Sequence, residues 1–138
     1  MSEGFKIAIT ALLGVIVFVL GQIIVKSFIE PIQEQRKLIG EVVHSLKFYE
    51  NFDREVTDKE KIQEGVRKIR QLSSDLDKSL VLIPWYSLMS FLRLVHKQKA
   101  ILAVRTELIG ISNSLGREGF SKRRKTIAAT LNIKHLSY

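Results

Sequence analysis

The chain has 138 residues, 46 % hydrophobic content and a formal charge of +8, room for one domain beside a membrane-length segment. It contains no cysteine, which excludes disulfides, thiolate metal sites and cysteine nucleophiles and fits a reducing compartment. The first 25 residues hold one cation, Lys6, and one acid, Glu3, so the whole net charge lies behind them. A basic portion of this kind suits an anionic lipid surface or a nucleic acid, or is a plain lysine-rich solvated surface.

From Ile7 to Val25 the chain runs without a charge, bounded by Lys6 and Lys26. At helical rise that stretch covers about 28 Å, close to the hydrocarbon thickness of a bilayer. The run is too long for the apolar region of a cleaved signal peptide, and no small-residue cleavage site follows it. A retained single-pass anchor is therefore expected. Lys26, Arg36, Lys37 and Lys47 follow the span, against Lys6 before it, which favours a short outer N-terminus and residues 26–138 in the cytoplasm. Within the span, Thr10, Gly14, Val17 and Gly21 stand at helical spacing on one face, a stripe that lets two backbones approach and predicts self-association. Gln22 lies off that stripe, nearer Ala11 and Phe18, where it is placed to bond across helices or lean toward headgroups.

After the span, Ile32, Ile39, Val42, Val43, Leu46 and Tyr49 continue a helical pattern. Pro31 sits inside it, so span and first cytoplasmic helix are expected to form one rod kinked at the proline, with Phe28 and Ile29 dipping into the interface. Residues 51–56 read as a turn, and Thr57 with Glu60 is a capping-box pattern opening the next helix. That helix carries Ile62, Val66, Ile69, Leu72, Leu76 and Leu80, and antiparallel packing on the first is the economical topology. Residues 79–95 are the most apolar stretch outside the span, but Pro84 divides them and they are too short for a second crossing. They fit either the buried centre of the domain, with Trp85 packed on Leu82, Leu88 and Leu92, or an interfacial segment with Trp85 and Tyr86 at headgroup depth. A further helix is expected from about Lys97 to Leu115, on a stripe of Ile101, Val104, Leu108, Ile111 and Leu115, with Gly116 as its stop. A short basic helix or tail follows Gly119.

Nothing in this pattern assembles a catalytic set. His44, His96 and His135 show no metal-ligand spacing, and the carboxylates at Glu55, Asp58 and Glu60 and at Asp75 and Asp77 alternate with cations, as solvated helix faces do. Arg93 and His96 are the one close Arg–His pair, and they stand closer together than in helical ribonucleases of the HEPN type. No glycine-rich loop cradles a phosphate. One positive signal remains: Lys122, Arg123, Arg124 and Lys125 form a run that fits a lipid surface or RNA phosphates, or no partner at all. No aromatic residues interleave there to stack bases.

Three stretches, FIEPIQEQRKLIGEV, IPWYSLMSFLRLV and RTELIGISNSL, resemble short single-span bacterial membrane proteins with a helical cytoplasmic domain. In plan alone the chain is similar to small membrane accessory proteins of bacterial antiviral systems of the CRISPR type, some of which form pores. The resemblance implies an architecture and a bacterial origin. The expectation is an all-α protein: an anchor over residues 1–28, then a helical domain over 29–138, built as a bundle of about four helices with a basic tail. The expected function is that of a non-enzymatic, homo-oligomeric inner-membrane protein, a membrane-perturbing or pore-forming effector in antiphage defence. It is expected to need no cofactor and to have membrane lipids as partners. The alternatives are a tether that docks a soluble protein, or a degenerate nuclease-like domain that still binds nucleic acid.

Overall fold

The computed structural model describes residues 2–50, 58–115 and 119–133, and every regular element among them is a helix. The first helix, α1 (Glu3–Ile24), passes through a π-helical turn at Val25–Ile29 into α2 (Glu30–Glu50), giving one rod from Glu3 to Glu50. The irregularity falls before Pro31 rather than at it. Proline offers no N–H and its ring crowds the carbonyl four residues back, so the preceding turn widens and Glu30 N–H bonds the carbonyl of Val25. The expected anchor–domain boundary at 28 lies inside this turn, with no break in the helix.

The next helix, α3 (Lys59–Leu82), starts from Asp58, whose Oδ1 accepts from Glu60 N at 3.1 Å. Asp58 is thus the cap among the described residues. Thr57 and the turn expected at 51–56 lie outside them, as do Gly116 and His135. Pro84 explains the end of α3: the residue before a proline is driven out of the helical region, and Ile83 is extended at φ −85° and ψ 109°. A short helix α4 (Tyr86–Phe91) follows, then α5 (Gln98–Ser114) and α6 (Phe120–Leu131). Two ends close in the same way. Arg93 and Asn132 take left-handed φ of 59° and 55°, and Leu94 N and Ile133 N reach back to the carbonyls of Met89 and Ala128 at 3.0 and 2.9 Å. Each is a Schellman closure built without glycine.

Side-chain pairs fix the packing as an antiparallel bundle of α2, α3, α5 and α6. Gln35 meets Ser79 and Glu41 meets Lys68, so α3 returns along α2. Arg105 pairs with Asp77 at 2.7 Å while Arg70 reaches Asn113 at 3.1 Å, so α5 runs away again. Arg123 pairs with Glu107, and α6 comes back toward the end of the bundle that joins α1. The main core gathers Val42, Leu46, Ile69, Leu72, Leu76, Ile101, Val104, Leu108, Ile111 and Ile127, each almost without exposure. Burying a side chain of this size contributes roughly 1.5–3 kcal/mol, which is why a helix with one apolar stripe chooses this arrangement. Gly65 lets Leu115 and Tyr49 close on α3. A Cβ there would lie 2.8 Å from Leu115 Cδ2 and 2.9 Å from Tyr49 Cε1. Burial raises the pKa of Tyr49 above its usual 10, with Glu64 adding to the shift and Lys68 opposing it.

Candidate membrane interface

Among the described residues, none of the apolar helix α1 is buried. Glu3–Glu50 is the one described helix long and apolar enough to cross a membrane, and none of its most apolar window is buried within the protein. The Thr10, Gly14, Val17 and Gly21 stripe therefore faces outward. A Cβ at Gly14 or Gly21 would meet no atom within 4 Å. Thr10 Oγ1 donates to the Lys6 carbonyl at 3.0 Å, so its hydroxyl is satisfied inside its own helix and leaves the stripe apolar. Gln22 is exposed on its separate face.

At the foot of α1 a second, smaller core holds Ile32, Ile83, Met89 and Val95, with Phe28 and Tyr86 packed against it. It fastens α4 and its flanking turns to the start of α2. Gln35, only 1 % exposed, donates through Nε2 to Ser79 Oγ at 3.0 Å and to Tyr86 Oη at 3.2 Å. Tyr86 Oη in turn donates to the His96 carbonyl at 2.6 Å, and Arg36 Nη2 donates to the Leu94 carbonyl at 3.1 Å. Burial raises the Tyr86 pKa above 10, against a smaller lowering from its hydrogen bond with Gln35. Tyr86 is therefore turned inward, away from the headgroup role read from the sequence.

Trp85 does the opposite. The expected core contacts with Leu82, Leu88 and Leu92 do not enclose it: the residue is 72 % exposed, and those three leucines are exposed as well. Its backbone is left-handed at φ 50°, a conformation that a bulky residue rarely adopts. That twist after Pro84 swings the indole outward, where its described ring neighbour is Phe28, 6.2 Å away edge to face. The 79–95 stretch is thus divided. Ser79, Ile83, Met89 and Val95 are buried, and Val81, Trp85 and Phe91 point out. Trp85→Ala is accordingly expected to shift unfolding free energy by no more than about 0.5 kcal/mol, read from thermal melts of the solubilised chain.

The basic run is also divided, because successive residues on a helix turn by about 100°. Arg124 is 6 % exposed and pairs through Nη1 with Glu50 Oε2, tying α6 to the end of α2. Arg123 lies over Gly110, where any Cβ would collide with its guanidinium, and donates to Glu107 Oε2 at 3.1 Å. Lys122 and Lys125 are the members that remain exposed. The four-cation patch read from the sequence is in the fold two bundle fasteners and two solvated lysines.

Among the described residues no group of three His, Asp or Glu side chains is placed to hold a metal ion. His44 stacks on Phe48, and Asp77 is occupied by Arg105. Sequence reasoning missed Gln35, the hub of the foot. Its signal was a polar residue in the apolar stripe between Ile32 and Ile39. No protein-family model, curated protein or solved structure matches this chain.

Proposed function

We propose that the chain is a single-span inner-membrane protein that assembles into homo-oligomers and acts on the membrane without catalysis, with its bundle in the cytoplasm. One observation carries the reading: a 22-residue apolar helix with no buried residue, standing clear of a bundle that closes its own core. Such a helix needs lipid or other helices around it. The outward stripe of Thr10, Gly14, Val17 and Gly21 supports association between spans, since small residues let backbones touch where lipid removes the hydrophobic driving force. The non-enzymatic part rests on the sequence, which carries no motif of known catalytic spacing. The antiphage setting rests on resemblance of plan.

Gly14→Ile and Gly21→Ile are each expected to lower the oligomer mass of the detergent-solubilised protein. They are also expected to reduce dye entry into cells that overproduce it. Wild-type mass in both variants would remove the stripe as the seam. Intact oligomers with no dye entry would favour the tether, in which the anchored bundle docks a soluble partner.

A further inference from the structure

The corner between α3 and α5 is built unlike the rest of the bundle surface. Val81, Trp85 and Phe91 are 85 %, 72 % and 82 % exposed, and together with Leu88 and Leu92 they make an outward apolar face. Their backbone is not loose. The buried Gln35–Ser79–Tyr86 hydrogen bonds and the small core under α4 hold it from behind. Left-handed turns at Trp85 and Arg93 bracket α4, so the chain accepts unfavourable backbone to present an indole outward.

Two observations say what covers this face. First, it is continuous with the foot of the apolar helix: Trp85 sits edge to face on Phe28, three residues after the last residue of the uncharged run. Second, no carboxylate occurs in the chain between Asp77 and Glu107, while Lys78, Arg93, Lys97 and Lys99 do. An open groove at the C-terminal end of α4 is lined by Arg36, Arg93, His96 and Lys97. Glu34 and Asp75 share the α2–α3 groove with Lys78 and Leu82, so the cation excess lies on the Arg93–Lys99 flank. Apolar side chains with an exposed tryptophan and a cationic flank match the boundary between acyl chains and anionic headgroups.

We infer that residues 81–94, with Phe28, form a preshaped second membrane contact that seats Trp85, Val81 and Phe91 at the acyl–headgroup boundary of an anionic bilayer. Arg93 and Lys97 lie over lipid phosphates in this arrangement. The inference rests on α1 spanning the membrane. It adds that the bundle is held against the bilayer in one orientation rather than swinging from a single stalk.

The test uses the full chain in vesicles of phosphatidylethanolamine and phosphatidylglycerol, because Trp85 is the one tryptophan and reports alone. Resistance to extraction by urea and salt reads the span separately. Brominated acyl chains are expected to quench most of the emission, shallow bromines more than deep ones, while aqueous iodide has little effect. Phe91→Glu, at an exposed position, should lose most of that quenching yet stay in the urea-resistant fraction with unchanged helicity. A urea-resistant chain whose tryptophan is quenched by iodide and not by bromolipid overturns the inference and leaves the span standing. Emission shielded from both quenchers also overturns it, since a second copy then covers the face. A chain extracted by urea overturns the span and the inference with it. Equal bromolipid quenching in vesicles of phosphatidylcholine alone overturns the role given to the cations.

Discussion

Gln35→Ala is expected to cost about 2–4 kcal/mol of unfolding free energy, although the residue is polar and lies outside the main core. The side chain is 1 % exposed, and Nε2 serves two oxygens, Ser79 Oγ at 3.0 Å and Tyr86 Oη at 3.2 Å. Truncation opens a void among Ile32, Ser79 and Tyr86 and removes the donor to both oxygens. Ser79 and Tyr86 keep their own donations to the Leu76 and His96 carbonyls, which limits the loss. In a domain whose whole stability is about 5–15 kcal/mol, this is a large fraction. Thermal denaturation followed by circular dichroism should show a midpoint lower by on the order of 10 °C or more. Gln35→Met fills the same space without the hydrogen bonds and should recover about half of the loss. If both variants melt with the wild type, the foot is held by its small apolar core alone.

Leu108→Ala is expected to have the largest effect of any truncation considered, about 3–5 kcal/mol. Leu108 is 1 % exposed on α5, the helix packed against both α3 and α6, so no single neighbour can move in to fill the space. The expected midpoint shift is about 12–25 °C, and expression should fall with it. Leu108→Ile keeps the volume and should cost less than about 1.5 kcal/mol. An alanine variant within about 1 kcal/mol of wild type would mean that α5 is not the centre of the bundle.

The legible part of the fold was the part governed by period. On α5, Ile101, Val104, Leu108, Ile111 and Leu115 are all buried, as a single apolar stripe on a solvated helix must be. The antiparallel return of α3 on α2 followed from the same periodicity. The illegible parts were governed by local backbone and by neighbours distant in sequence. Hydropathy treats residues 79–95 as one apolar block, whereas the Pro84 turn and the left-handed Trp85 sort its members to opposite sides. Counting cations treats residues 122–125 as one patch, whereas Glu107 and Glu50 claim the two arginines from elsewhere. The stripe on α1 was readable as a face, because that helix has no break between Glu3 and Ile24.

The π turn at Val25–Ile29 has a consequence for steering. In an unbroken α-helix, Gly21 and Ile32 are eleven residues apart and point within about 20° of each other. The stripe would then head the same way as the side of α2 that carries α3 and α4. A π turn takes in one residue more than an α turn, which retards the phase of everything after it by about 100°. The small-residue stripe on α1 and the loaded side of α2 therefore head in different directions. Copies joined along α1 would carry their bundles off to one flank, each beside the next, instead of driving them into the common axis. In such an assembly, one surplus residue at the foot of the rod would be the offset that leaves that axis clear.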